Sequence, residues 1–289
     1  MIALLTYYSV YSLLALISFI GVKKLFSKKL NKNSSTNNLS KITLVVPFRN
    51  EEKRIVPLLK SLNNSTQLPA TVLFIDDNSS DQTCELIQQH LTISNFQILA
   101  STKNGKKAAI QTGVAACATE YFLTLDADVA FESNYFENLI QLPTCDLTIL
   151  PVKMNSNGWQ QLFELDVYLI NVLNQFVAGY FRPIVASGAN LLVRKSAYLE
   201  AHSLKNHEHF MSGDDQFLLA DFVRSNKTIS LQANGKLAVT TPSPSTLKEL
   251  MNQRLRWIQK TPQVNDKLAS AVGAFHLLLT IVFCVIGIT

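Results

Sequence analysis

Paired cysteines are missing from this 289-residue sequence. The chain has four cysteines, and no two are close enough in sequence to suggest a metal knuckle or a redox pair. They are Cys84, Cys117, Cys145 and Cys284. We therefore expect reduced thiols in a cytosolic domain. Internal repeats are missing as well.

A basic patch of the kind that binds nucleic acid is also missing. The net charge is +5, but the basic residues are not interleaved with aromatic residues on a compact face, so we expect no nucleic-acid partner. The positive charge suits anionic lipid headgroups or anionic substrates. Solvated lysines beside apolar segments account for much of the same excess.

Positive charge is absent before the first apolar run. Residues 2–22 carry no charged side chain, and a cluster of lysines begins only at Lys23. A signal peptide has its positive charge before its apolar stretch, so the order favours a retained anchor. We predict a transmembrane helix over 1–22 and a basic linker over 23–40. Because lysines mark the cytoplasmic side of a membrane span, the domain that follows is expected in the cytosol.

A second apolar run covers 268–289, where we predict another transmembrane helix. Each run has about 20 residues, the length that crosses a hydrocarbon core as a helix. A buried core helix is the alternative for this second run. With two spans the protein is expected to be an integral membrane protein, in the cytoplasmic membrane if it is bacterial.

Between the runs, strand and helix patterns alternate. Strands are predicted at 42–47, 71–75, 96–100 and 121–125, and helices at 51–63, 84–90 and 106–116. This alternation indicates an α/β fold with a mostly parallel sheet, whose ligands bind at the carboxyl ends of the strands. Helical spacing continues over 157–180, and 245–259 has the pattern of an amphipathic helix. We place a cytosolic domain at 41–244 and an amphipathic interfacial segment at 245–267.

Two acidic pairs follow predicted strands. Asp126 and Asp128 are separated by one residue, so both carboxylates can reach one Mg2+ or Mn2+ ion, which takes its other oxygens from phosphates. Two acids this close are usually a turn or a helix cap, so the pair alone is a weak signal of a metal site. Asp76 and Asp77 suit ribose hydroxyls or a base N–H, with a strand-end turn as the alternative.

Three further motifs have both a chemical and a plain structural interpretation. Gly105-Lys106 precedes a predicted helix, whose N-terminus favours an anion. Asp215, with Asp214 before an apolar helix at 217–223, suits a proton acceptor or a helix cap. Arg256 and Trp257 suit a diphosphate and a stacked ring, or a membrane interface.

In this order, the motifs resemble the inverting family 2 glycosyltransferases, from about Lys41 to Trp257. The similarity is greatest to the membrane-bound branch of cellulose and hyaluronan synthases and ceramide glucosyltransferase. The resemblance implies a GT-A, Rossmann-like, nucleotide-diphospho-sugar transferase domain. The nucleotide-sugar contacts that it implies are Pro47, Arg49, Glu51, Asp77, Gly105, Lys106, Asp126, Gln253, Arg256 and Trp257.

The resemblance also implies roles. Asp126 and Asp128 would hold Mg2+ or Mn2+, and Asp214-Asp215 would be the catalytic pair, with Asp215 as the base. The implied reaction moves a sugar, expected from a UDP-sugar, to a lipid or lipid-linked acceptor at the cytosolic membrane face. Glycan elongation by a synthase-like enzyme is the alternative, and a non-catalytic membrane scaffold is a distant one.

Two features depart from the family pattern. The acidic pair is Asp-Asp rather than Glu-Asp, and two apolar spans are fewer than polymer-exporting synthases need.

Two rival protein classes explain fewer of these motifs than the glycosyltransferase family does. A phospho-receiver module suits 72–78 but leaves the strand at 42 and the Gln253 motif unexplained. A haloacid-dehalogenase phosphatase would need Thr or Val at the position of Ala130.

Overall fold

The computed structural model describes residues 20–21, 23, 38–156, 158–201, 214–258, 264 and 266–274. Most of the predicted membrane spans at 1–22 and 268–289, and most of the linker at 23–40, lie outside these residues. Within the described ranges, no helix combines the length and the hydropathy needed to cross a bilayer. Contacts divide the chain into two units, Met1–Ser243 and Pro244–Thr289.

Four parallel strands form the first part of the main sheet. They are β1 (Ile42–Phe48), β2 (Thr71–Asp76), β3 (Phe96–Ala100) and β4 (Tyr121–Leu125), in the order β3-β2-β1-β4. The helices between them are α1 (Val56–Asn63), α2 (Thr83–His90) and α3 (Lys106–Ala116). The predicted alternation is confirmed, and β3, β4 and α3 have the predicted bounds.

The helix α1 begins five residues later than predicted. Glu51 to Ile55 form a turn, in which the N–H groups of Arg54 and Ile55 both donate to the Glu51 carbonyl at 2.9 Å. Pro57 then lies in the first turn of α1, where its missing N–H leaves no helical bond unmade. The correction matters because this turn keeps Glu51 and Arg54 at the end of β1.

The second half adds strands that the sequence pattern did not predict. β5 (Leu147–Ile149), β7 (Asn190–Arg194) and β8 (Ile229–Leu231) extend the sheet as β4-β7-β5-β8, with β7 antiparallel to both neighbours. β6 (Val152–Asn155) and β9 (Val239–Pro242) form a separate parallel pair. Because β7 runs in the opposite direction, its first residue, Asn190, pairs with Leu125 at the end of β4.

Helices complete the second half. In the first unit they are α4 (Tyr135–Leu139), α5 (Gln161–Tyr180), α6 (Lys195–Glu200) and α7 (Asp214–Arg224). The second unit has α8 (Leu247–Ile258) and a helical stretch at 267–274. The helical patterns at 157–180 and 245–259 are thus confirmed over α5 and α8. The placement of Asp214-Asp215 before a helix at 217–223 is wrong, because these residues form the start of α7.

The core lies on both faces of the sheet. Leu44 and Val46 of β1 pack in a cluster that includes residues of α1 and α2, whereas Val45 packs in a cluster that includes residues of α3 and α7. Both faces of β1 are therefore covered, which explains its uninterrupted apolar sequence. The polar groups of the loops are left at the ends of the strands.

Candidate active site

The loops that follow β1 and β2 are joined by hydrogen bonds. The Asn50 N–H donates to Ser79 Oγ at 3.1 Å, and the Ser80 N–H donates to Asn50 Oδ1 at 2.8 Å. The Glu51 N–H donates to Thr83 Oγ1 at 2.8 Å. The polar clusters predicted after these strands therefore hold each other in place.

Asp77 is a buried acid that directly follows β2. Its Oδ1 accepts from the Gly105 N–H at 2.7 Å, and its Oδ2 lies 4.0 Å from Arg49 Nη1. Gly105 has a φ of 103°, a conformation that side-chain-bearing residues rarely adopt, so glycine is required there. Three of the predicted nucleotide-sugar contacts, Arg49, Asp77 and Gly105, are thus brought together.

Asp76 and Pro47 instead make contacts within the fold that account for them structurally. Asp76 Oδ1 accepts from the Ser79 N–H at 2.8 Å, which is the strand-end turn that was the alternative for this acid. Pro47 is buried within β1, in register with Ile75 of β2.

Lys106 and Asp126 form an ion pair. Lys106 is the first residue of α3, and Asp126 directly follows β4. Lys106 Nζ donates to Asp126 Oδ1, with the lysine side chain 41% exposed. The pair joins two residues that the sequence analysis assigned to the donor site.

Asp128 faces a different cation. Arg54 Nη1 lies 3.8 Å from Asp128 Oδ2, and Arg54 Nη2 donates to Glu51 Oε1 at 2.8 Å. Glu51 Oε2 is buried and has no hydrogen-bond partner in the structure. Arg54 therefore contacts both Glu51, in the loop after β1, and Asp128, which follows β4.

Two acids of this region, Asp128 and Glu51, have raised pKa values. Burial raises the pKa of Asp128, and the charge of Asp126 adds to the rise while Arg54 and Lys106 oppose it. Burial also raises the pKa of Glu51, with Arg54 opposing it and Asp128 and Asp126 adding to it. The three carboxylates are therefore close enough to repel one another, which favours positive charge beside them.

Asp215 of α7 lies near the Lys106–Asp126 pair. Its Oδ2 accepts from the Gly188 N–H at 2.9 Å and its Oδ1 from the Gln216 N–H at 2.8 Å, while Thr124 Oγ1 donates to the Gly188 carbonyl at 3.2 Å. A Cβ built on Gly188 would lie 3.6 Å from Asp215 Oδ2 and 3.8 Å from Lys106 Nζ. Asp215 and the Lys106–Asp126 pair thus border one small space.

The remaining predicted residues belong to the second unit or are described only by their backbone. The side chain of Asp214 lies outside the described part of the chain, as do those of Arg256 and Trp257. Gln253 lies with these last two on α8, in the second unit, and its buried Oε1 has no hydrogen-bond partner among the residues that the structure describes.

A metal would need more than protein ligands here. Among the described residues, no group of three or more His, Cys, Asp or Glu side chains could hold a metal ion. Asp126 and Asp128 supply two carboxylates, and a nearby Glu51 oxygen lacks a partner. This arrangement fits a hard cation that takes its other oxygens from a phosphate or from water.

Residues 43–144 match the sequence model of the family described as Glycosyl transferase family 2. This segment is therefore similar in sequence to family 2 glycosyltransferases. It extends from β1 past β4 and so contains Asp77, Lys106, Asp126 and Asp128. The match does not distinguish the synthase and ceramide glucosyltransferase branch from others.

Two relatives share this part of the chain. The 4,4'-diaponeurosporenoate glycosyltransferase of Staphylococcus haemolyticus is 28% identical over 136 residues, which cover 44% of this chain and 35% of the relative. A dolichyl-phosphate beta-glucosyltransferase of Trichomonas vaginalis is 32% identical over 107 residues, covering 34% and 32%. The chain thus spans about a third of the length of each relative.

A solved structure shares the fold. It is the mannosyltransferase PcManGT from Pyrobaculum calidifontis in complex with GDP-Man and Mn2+. The similarity has a TM-score of 0.62 at 16% sequence identity and covers 88% of this chain and 73% of that chain. The GT-A fold implied by the motifs is therefore confirmed.

Three residues of the site were not predicted: Arg54, Thr124 and Gly188. Arg54 had a signal, since it lies three positions after Glu51, the spacing at which side chains meet across one turn. Gly188 had none, because it lies in an irregular loop and its partner Asp215 is 27 positions away.

Proposed function

We propose that this protein is an inverting glycosyltransferase that moves a sugar from a nucleotide-diphosphate donor to an acceptor hydroxyl. The meeting of three groups supports the proposal most strongly. Asp215 and Lys106 both border the position of a Cβ on Gly188, at 3.6 and 3.8 Å, and Lys106 pairs with Asp126. A proton acceptor and a diphosphate site are thus adjacent.

The donor half of the site would be built on Asp77 and Lys106. Asp77 can accept a hydrogen bond from a ribose hydroxyl or a base N–H, beside Arg49. Lys106, at the N-terminus of α3, offers a positive charge to the diphosphate. A UDP-sugar is the donor that we expect. The family resemblance adds Gln253, Arg256 and Trp257 as donor-binding residues.

Asp126 and Asp128 would hold Mg2+ or Mn2+. The support is the excess of carboxylates around Asp128 and the partnerless oxygen of Glu51. When bound, the ion offsets the negative charge of the diphosphate leaving group.

Asp215 would act as the base. Its two oxygens already accept one backbone N–H each, which orients the carboxylate and leaves lone pairs for the proton of an acceptor hydroxyl. That hydroxyl oxygen then bonds to the anomeric carbon while the bond to the diphosphate oxygen breaks, and the electron pair leaves with the nucleoside diphosphate. A single displacement inverts the anomeric centre. Asp214 would be the first member of the acidic pair that the family resemblance implies.

The acceptor is proposed to be a lipid or a lipid-linked sugar at the cytosolic face of a membrane. Both relatives have names that refer to lipid compounds, dolichyl phosphate and diaponeurosporenoate. The predicted anchors at 1–22 and 268–289 would place the domain beside such an acceptor. Elongation of a glycan remains the second candidate for the same site.

The change Asp215→Asn tests the base. Because the amide keeps the size of the carboxylate but is a far weaker proton acceptor, we expect transfer to fall about 10²- to 10⁴-fold. Donor binding should persist, since the donor contacts proposed above are elsewhere. Transfer from a panel of labelled nucleotide sugars and donor binding by calorimetry are the two measurements.

The matched control is Glu200→Gln, which makes the same charge change on α6, whose start after Arg194 lies at the opposite end of the sheet. It should retain transfer. Normal transfer by Asp215→Asn would remove Asp215 from the base role, and loss of both transfer and binding would show that the variant no longer forms the site.

A further inference from the structure

Each of the two proposed metal acids already has a cation beside it. Lys106 Nζ bonds to Asp126, and Arg54 Nη1 lies 3.8 Å from Asp128 Oδ2. A metal that takes both carboxylates must therefore replace two existing ion pairs, rather than fill a vacant acidic site.

The two cations are placed so that they can turn without unfolding the chain. Their side chains are 41% exposed for Lys106 and 54% exposed for Arg54. Arg54 is also held by Glu51 at 2.8 Å, so it keeps an anchor when Asp128 is taken by another partner. Arginine is well suited to such an exchange, because its guanidinium contacts two anions at once.

We propose that Lys106 and Arg54 are built-in counter-ions of Asp126 and Asp128, and that a divalent cation and a diphosphate displace them together. This inference rests on the proposed function. The charges balance only in the joint exchange: the ion's two positive charges replace those of Lys106 and Arg54 at the carboxylates. The two released side chains then meet the two negative charges of the diphosphate.

Either ligand alone leaves these charges less well compensated than the joint exchange does. The metal alone would release two side-chain cations with no new anion, and the diphosphate alone would meet cations that are already engaged. Binding of the metal and of the nucleotide should therefore be cooperative. By linkage, each must tighten the other by the same factor.

The test is Mn2+ binding to the full-length protein, followed by electron paramagnetic resonance, in the absence and in the presence of UDP or GDP. The variants are Lys106→Gln and Arg54→Gln. Their matched controls are Lys103→Gln and Lys53→Gln, which remove the same charge from exposed neighbours and so report the long-range effect of charge alone.

Removing a counter-ion should tighten Mn2+ binding in the absence of nucleotide by about 1.5- to fivefold beyond its control, the range expected for one partly exposed ion pair. The same variants should weaken binding of the nucleoside diphosphate in the presence of Mn2+, and the cooperativity factor should fall. The opposite signs of the two effects distinguish a counter-ion from a metal-binding or merely structural residue.

Affinity for Mn2+ alone that is unchanged or weaker than in the controls would overturn the inference, as would failure of every variant to bind Mn2+. Failure of the proposed function has a different signature. A wild-type chain that binds Mn2+ but neither nucleoside diphosphate would defeat the donor site, while the measurement with metal alone would still decide the counter-ion role.

Discussion

Gly188 lies where the basic and acidic groups of the candidate site meet. A methyl group at this position would make only ordinary contacts, at 3.6 Å to Asp215 and 3.8 Å to Lys106. We therefore expect Gly188→Ala to change the free energy of unfolding by less than about 0.5 kcal/mol. Transfer should fall about 10- to 100-fold, because the methyl group enters the space between Asp215, the proposed base, and Lys106, the proposed diphosphate contact. Urea unfolding and initial rates measure the two effects.

Gly105→Ala provides the contrast for that experiment. Nothing lies within 4 Å of a Cβ on Gly105, but its φ of 103° imposes a strained backbone on alanine. This change should cost about 1–3 kcal/mol of stability. If Gly188→Ala destabilised the fold as much as Gly105→Ala, the space beside Asp215 would be a packing requirement rather than a substrate site.

The residues found from sequence are those that end a recognisable strand or begin a recognisable helix. Asp77, Lys106 and Asp126 were identified because each stands at such a boundary, and parallel strands bring these boundaries to one edge. Arg54 and Gly188 stand at no such boundary. Their places depend on a turn after β1 and on a loop before β7, and neither has a periodic pattern.

Among the helices and strands, the length of an element determined whether the sequence pattern could predict it. The 20 residues of α5 show their helical spacing plainly, and β1 to β4 alternate with helices. β5 and β8 have three residues each, too few for any period to appear, and their partners are distant in sequence. The antiparallel insertion of β7 follows from pairing between such distant segments, so the mixed sheet was beyond the sequence pattern.

One buried side chain of α5, that of Asn174, makes three hydrogen bonds to the loop between α5 and β7. Asn174 Oδ1 accepts from the N–H groups of Ile184 at 2.8 Å and Val185 at 3.1 Å, and its Nδ2 donates to the Val185 carbonyl at 2.8 Å. Asn174→Ala leaves these three backbone groups without partners and should cost about 2–4 kcal/mol. The measurement is the midpoint of urea unfolding.

Asn171→Ala is the control on the same helix, because Asn171 makes one hydrogen bond, 3.2 Å long, to the Val152 carbonyl. It should cost about 1 kcal/mol or less. Equal losses in the two variants would mean that Asn174 does not fix the loop, and that Gly188 is positioned mainly by Thr124 and Asp215.

Within the first unit, the loop between α5 and β7 connects the candidate site to an exposed apolar surface. Tyr168 and Leu169 of α5 and Phe181 at its end are exposed, and six residues separate Phe181 from Gly188. A lipid acceptor has apolar surface that gains free energy on contact with such side chains. This arrangement supports the proposed acceptor class and predicts that the surface affects the acceptor but not the donor.

Phe181→Ser should therefore raise the KM for a lipid acceptor about three- to tenfold, from loss of part of the burial of one large apolar side chain, and leave donor binding unchanged. Leu199→Ser is the control, because Leu199 is 59% exposed and Phe181 70%, but Leu199 lies on α6, which follows the opposite end of β7. The assay incubates membranes with labelled nucleotide sugars and then extracts lipids. Label in the organic phase that falls only for Phe181→Ser supports a lipid acceptor near α5. Equal effects of both changes would contradict that site, and label in insoluble polymer would show glycan elongation instead.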